Sequence, residues 1–167
     1  WVRTKRPWVT VKIALTADGY IAGKNGAPLA ITGEGAHRYT HLRRRQCSAL
    51  LTSVQTIIND NPALNARVDG KCIKKPLFVL DRQGRMPSDT RVLETTGPIF
   101  RLHNADLLDE PVSLPLSVTN CAVQTTEEGL CLPAVLRLVA EQGMHHLWVE
   151  VGAELLTALL QHDCINE

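Results

Sequence analysis

Asp60 heads the residues whose types and spacing could do chemistry. Two hydroxyls, Ser53 and Thr56, stand before it and Arg67 after it, all within Ala49–Arg67. The stretch opens on a short apolar run, Ala49-Leu50-Leu51, of the length of a buried strand, and turns polar at Thr52 and Ser53. Val54–Ile58 has room for one or two helical turns before Asn59-Asp60-Asn61-Pro62 stops it, because Pro62 drives Asn61 out of the helical region. A buried strand thus delivers a polar loop, a helix start and a carboxylate to one edge of a sheet, the edge where open α/β sheets bind ligands. The same residues also read as an ordinary strand–turn–strand connection. A second strand-to-helix junction runs from Glu150 to Ala153, where Gly152 would let a ligand approach the backbone closely. Helix starts offer free amides and a positive dipole end. The residues therefore describe a phosphate-bearing ligand held by two helix starts, with the carboxylates of Asp60 and Glu150 close by.

The elements that must position these groups follow in chain order. Trp8–Thr16 is rich in β-branched residues and predicts a strand, Ala17-Asp18-Gly19 a turn, and Tyr20–Ala22 a short extended piece. Gly23–Gly26 reads as another turn. Thr32 predicts the N-cap of a helix reaching about Cys47, with Glu34 and Arg43-Arg44-Arg45 matching its dipole. Three consecutive arginines spread over roughly 200° of a helix, so at most one or two reach a common ligand. Val68-Asp69-Gly70 is a turn, and Pro76–Asp81 a buried strand ending in a carboxylate. Ile99–Leu102 and Leu116–Val123 read as strands, with residues 103–115 as loop. Pro133 starts a helix closed by Gly143, His146–Glu150 is a strand, and Ala153–Gln161 an apolar-faced helix. The layout is α/β, and no internal repeat or linker interrupts it.

Composition narrows the classes. The chain has 167 residues, the size of one domain, with 44% apolar and 21% charged residues. Eighteen basic against seventeen acidic residues leave +1, which makes no electrostatic case for nucleic acid or an anionic membrane. No apolar run approaches the ~20 residues that span a bilayer. Trp1–Pro7 lacks the apolar core of a secretory signal, and the chain does not open on Met. Five cysteines without a Cys-x-x-Cys pair read as free thiols in a reducing cytoplasm. His37 and His41 have metal-compatible i, i+4 spacing but no third ligand nearby; they read as a solvated helix face, and no metal is expected. The G-x-G-x-x-G fingerprint, a Walker A loop and a Gly-x-Ser-x-Gly elbow are all missing from the sequence.

Arg6–Ala22, Ile31-Thr32-Gly33, Ala49–Arg67 with Thr56, Asp60-Asn61-Pro62 and Leu64, Pro76 with Val79-Leu80-Asp81, and Leu147–Ala153 together resemble the reductase domain of bacterial riboflavin biosynthesis, in the right order along the chain. The resemblance implies a dihydrofolate-reductase-like fold, a mixed central sheet with helices on both faces. It implies an NADPH-dependent reduction of the ribosyl group of a phosphoribosylamino-pyrimidine to a ribityl group. In many bacteria such a domain follows a zinc-dependent deaminase, which nothing in this sequence resembles. By resemblance, Thr56 and Asp60 contact the nicotinamide cofactor, with Asp60 at the reacting end, and Gly152 and Ala153 lie along its phosphates. Arg44, Leu64, Arg67 and Glu150 line the substrate site, and Lys12 faces the pocket as Asp60's catalytic companion. The chain departs from the family pattern at Pro28, Ala30, Asn61 and Val151. Its final residues resemble a point at which the family continues for about two strands, with a homodimer expected of the complete domain. Other readings are a non-catalytic relative that binds a nucleotide or a protein, and a true dihydrofolate reductase.

Overall fold

The computed structural model describes residues 5–21, 23, 31–107 and 114–167. Six strands form one sheet in the order β1 (Trp8–Lys12), β10 (His146–Glu150), β2 (Ala49–Ser53), β5 (Leu77–Leu80), β6 (Ile99–Asn104), β7 (Val118–Val123). Every pairing in it is parallel. Antiparallel pairing occurs in two small ribbons, β3 (Ala66–Val68) with β4 (Lys71–Ile73), and β8 (Thr125–Thr126) with β9 (Gly129–Leu130).

A parallel sheet must be covered on both faces, so its inner strands are largely apolar, although β6 buries Arg101 and His103. In β2, Ala49–Thr52 are all buried. Alternation then sorts the side chains between two cores. Leu51, Phe78, Leu102, Leu147 and Val149 meet α4 (Leu132–Glu141) and α5 (Ala153–Gln161) on one face. Leu50, Leu77, Val79, Ile99 and Trp148 meet Val54 and Ile57 of α2 (Val54–Asp60) and Val92 of α3 (Val92–Thr95) on the other. Phe78 and Phe100, register partners, stack at 4.6 Å between centroids. Each fully buried aliphatic side chain contributes roughly 1.5–3 kcal/mol.

Several expectations change in detail. β1 ends at Lys12 rather than Thr16, and beyond it Thr16–Tyr20 closes a turn in which Tyr20 N donates to Thr16 Oγ1 at 2.8 Å. Tyr20–Ile21 is not a strand, and Ala22 and residues 24–26 lie outside the described residues. The first helix, α1 (Glu34–Gln46), is capped by Gly33 without a side-chain hydrogen bond, so Thr32 is not its N-cap. β6 runs on to Asn104 and is followed by a 3-10 turn, Ala105–Leu107. The ribbon β3–β4 was not anticipated; Asp69 and Gly70, both at positive φ, form its two-residue turn.

The candidate active site at the carboxyl edge of the sheet

All six strands point the same way, so β1, β10, β2 and β5 bring Lys12, Glu150, Ser53 and Leu80 to one edge. Two cavities open there. The smaller, about 210 Å³, is lined by Lys12, Thr32, His37, Thr40, His41, Arg44, Leu64, Arg67 and Glu150, among others. The larger, about 890 Å³, runs over Ser53, Gln55, Thr56, Asp60, Arg82, Arg85 and Val151–Leu155. Lys12 and Glu150 line both. The sequence-predicted substrate residues Arg44, Leu64, Arg67 and Glu150 therefore gather at one cavity, and the cofactor residues Thr56, Asp60, Gly152 and Ala153 at the other.

Glu150 is the most heavily bonded group of the site. Arg44 forks onto it, Nε to Oε1 at 2.6 Å and Nη2 to Oε2 at 2.9 Å, and spends one Nη1 hydrogen on the carbonyl of Asn65 at 2.9 Å. Trp148 Nε1 donates to Oε1 at 2.9 Å. Burial raises the carboxyl pKa, but the Arg44 hydrogen bonds and charge, the Trp148 N–H and the Lys12 charge outweigh it and hold the group below its ordinary value. The arginine run divides as its helical spread requires. Arg43 reaches Glu167 at 2.7 Å, Arg44 faces the cavity, and Arg45 lies 3.8 Å from Asp69 at the surface.

The loop between α2 and β3 is shaped by backbone conformation. Ser53 caps α2, accepting from Thr56 N at 3.3 Å, and its Oγ lies 3.1 Å from the Thr56 hydroxyl. Asn61 ends the helix at φ 39°, and its Oδ1 accepts from Arg91 N at 2.8 Å and Thr90 Oγ1 at 3.1 Å. An asparagine tolerates this left-handed position, which accounts for its presence before Pro62. Leu64, at φ 41°, is a bulky residue held in the same region, a strain that places its backbone at the cavity wall while its side chain is buried. Asp60 is exposed at the larger cavity, and among the described residues its carboxylate has no hydrogen-bond partner.

At the second junction, α5 starts from Gly152 with no side-chain cap, leaving its first amides open toward the larger cavity. A Cβ on Gly152 would meet only Ile21 Cδ1, at 3.9 Å, so this backbone is open to a ligand. Val151 packs partly against the core and donates its N–H to the Lys12 carbonyl at 3.4 Å. The other departures from the family pattern, Pro28 and Ala30, lie outside the described residues.

His37 and His41 are not a merely solvated face, because both line the smaller cavity. His41 Nδ1 lies 3.1 Å from Arg67 N and its Nε2 3.1 Å from Arg67 Nη2. Burial, with the charges of Arg44 and Arg67, holds its pKa below the ordinary value. Their placement was signalled by the stripe His37, Thr40, His41, Arg44, spaced i, i+3, i+4, i+7 on one face of α1. Arg82 and Arg85 gave no such signal, since they reach the larger cavity only through the turn after β5. Asp81, expected as a strand-end carboxylate, is fully buried and accepts from Arg85 N and Met86 N at 2.7 and 3.0 Å. Among the described residues no group of three or more His, Cys, Asp or Glu could hold a metal, and no helix is long and apolar enough to cross a membrane. The five cysteines are unpaired.

A parallel sheet flanked on both faces by helices, with two cavities meeting at its carboxyl edge, is an α/β layout, and its solved neighbours are reductase domains of dihydrofolate-reductase-like fold. The chain belongs to the RibD C-terminal domain family, whose model matches residues 7–167. It is 32% identical to the riboflavin biosynthesis protein RibD of Actinobacillus pleuropneumoniae, over 99% of this chain and 45% of that protein. It is 28% identical to RibD of Escherichia coli (strain K12), over 99% and 48%. The chain thus spans about half the length of the curated relatives it matches. Among solved structures it resembles a diaminohydroxyphosphoribosylaminopyrimidine deaminase/5-amino-6-(5-phosphoribosylamino)uracil reductase of Thermotoga maritima, with TM-score 0.80, 28% identity, and coverage of 95% of this chain and 42% of that one. The riboflavin biosynthesis reductase Rib7 of Saccharomyces cerevisiae shares the fold at TM-score 0.77 and 18% identity, over 98% and 71%.

Proposed function

We propose that this chain reduces the ribosyl group of 5-amino-6-(5-phosphoribosylamino)uracil to a ribityl group in riboflavin biosynthesis, with NADPH as reductant. The observation that carries the reading is the meeting of the two cavities at Lys12 and Glu150, which puts a cofactor and a substrate within reach of the same pair of side chains.

The larger cavity suits a dinucleotide. The uncapped start of α5 at Gly152 and Ala153 offers amides for the pyrophosphate, and the Thr56 hydroxyl and Asp60 carboxylate flank the opposite wall. Arg82 and Arg85 supply cations for a further phosphate. NADPH, when bound there, supplies the hydride. The smaller cavity suits the phosphorylated sugar. Arg67 and the remaining N–H groups of Arg44 take the phosphate, Leu64 closes the wall, and Glu150 accepts from a ribose hydroxyl. Lys12 and Asp60 manage the proton that accompanies hydride transfer. The domain is proposed to span residues 1–167, to act in the cytoplasm, and to form a homodimer.

The test is NADPH oxidation by this chain with the aminouracil substrate, preceded by calorimetry with NADPH and NADH. Substrate-dependent oxidation with NADPH preferred is the expected result. A folded chain that binds neither cofactor would overturn the reading in favour of a non-catalytic binding relative.

A further inference from the structure

We infer that Trp148 is a positioning residue for Glu150, and that its indole decides which carboxylate oxygen is open to the hydroxyl of a ligand. The inference rests on the reading that Glu150 faces the substrate. Trp148 and Glu150 are two apart on β10, so they stand on the same face. Oε1 receives two donors, Arg44 Nε at 2.6 Å and Trp148 Nε1 at 2.9 Å. Oε2 receives one, Arg44 Nη2 at 2.9 Å. An ionised carboxylate has about two acceptor positions per oxygen. Oε1 is therefore full, and Oε2 keeps one place for a donor arriving from the cavity. The charged and titratable groups around this carboxylate are Arg44 and His41 of α1 and Lys12 of β1, with His37 and Arg67 on the smaller cavity and Asp60, Arg82, Arg85 and Glu154 on the larger, and the Arg43 guanidinium 5.8 Å from the indole centroid.

The indole itself is 2% exposed. Phenylalanine keeps an aromatic ring at this site but removes core volume along with the N–H, so the indole signal and the pH profile, not stability, report on the N–H. Without it, Oε1 regains an acceptor position, the carboxylate presents two alternatives to the ligand, and its negative form loses a donor.

Two arms test this. The chain has three tryptophans, at 1, 8 and 148, so a nitrogen-15 spectrum contains three indole N–H signals. The Trp148 signal is identified by its loss in Trp148→Phe. It should shift in Glu150→Gln and move with pH as Glu150 titrates; a signal indifferent to both overturns the inference, without any assay of activity. In steady-state kinetics, Trp148→Phe should raise KM for the aminouracil about ten-fold, the scale of one hydrogen bond to a charged group, and leave KM for NADPH within two-fold. The acid limb of its pH profile should move to higher pH. Equal loss for both ligands with an unmoved acid limb would make Trp148 structural only and overturn the inference. An inactive wild-type chain would overturn the functional reading, and with it the ligand assigned to Oε2, while the indole–carboxylate link is decided by the spectra.

Discussion

Lys12 of β1 and Glu150 of β10 are register partners in a parallel pairing, and their side chains form the common wall of the two cavities. In a parallel sheet, neighbours in register at the strand ends project from the same edge, which is how residues 138 positions apart come to act at one place.

Lys12→Met should test that shared wall. The substitution keeps the aliphatic stem and removes the ammonium. Turnover should fall by about 10²–10³-fold, the usual scale for a lost proton-handling group, with NADPH affinity changed by a few-fold at most. Steady-state kinetics with calorimetry separates the two; undiminished turnover would remove Lys12 from the chemistry.

Asp60→Asn should leave thermal stability nearly unchanged, because its carboxylate is exposed and without a hydrogen-bond partner among the described residues. Turnover should drop at least about ten-fold. A melting curve and a rate measured on the same sample give the answer, and equal rates would dismiss Asp60.

The paired change Arg82→Ala with Arg85→Ala should weaken NADPH binding about ten-fold and NADH binding hardly at all, since a guanidinium at the cavity rim favours the cofactor with the extra phosphate. Calorimetry with both cofactors checks this. Equal weakening would place the arginines on a phosphate common to both.

Glu150 also sets a pH dependence of stability. Its folded pKa lies below the ordinary 4.5, so its contribution is complete above about pH 4.5 and is lost as pH falls through the lowered value. Glu150→Gln, which leaves Arg44 without its counter-charge, should be less stable at pH 7, and its gap from wild type should narrow toward pH 3. Urea unfolding across that range measures it; a constant gap would mean the carboxylate is not favoured by folding.

Arg101 is a buried cation whose Nε and Nη1 have no hydrogen-bond partner among the described residues, with Asp81 Oδ2 3.9 Å from Nη1. Arg101→Met should cost roughly 3–5 kcal/mol, because it leaves the fully buried Asp81 carboxylate without its counter-charge. Asp81→Ala should cost roughly 2–5 kcal/mol, since it orphans the buried Met86 amide and the part-buried Arg85 amide and leaves Arg101 without a counter-charge. Denaturant melts of both variants measure the two losses, and an unchanged midpoint for either would show that the pair is not coupled.

Much of the frame was legible in the sequence because local pattern and final structure agree there. The run Ala49–Ser53, the stop at Asn59–Pro62, the strand His146–Glu150 and the apolar helices around Val135 and Leu159 each carry their own signal. The pieces that were not legible depend on contacts distant in sequence. Nothing local extends β6 to Asn104, because its last residues are held by pairing with Ala122 and Val123. The ribbon β3–β4 is too short for periodicity to register. In the site, Arg44, Arg67 and Glu150, named from the family resemblance, lie together at the smaller cavity, and Asp60 lies at the larger. The resemblance left out His41, whose cavity face the stripe on α1 signalled, and Arg82, Arg85 and Trp148, whose placements depend on neighbours that only folding supplies.

The helix α1 has no buried residue, although it forms one wall of the smaller cavity. Its hold on the domain comes from Arg44 to Glu150, Arg43 to Glu167 and His41 to Arg67, and not from an apolar stripe. A wall fastened by polar contacts can detach while both hydrophobic cores stay intact, so this helix belongs to the low-stability end of the molecule. Its amides should exchange with solvent well before those of β10, and the smaller cavity can then admit a ligand by local opening of one helix, at a free energy far below that of global unfolding.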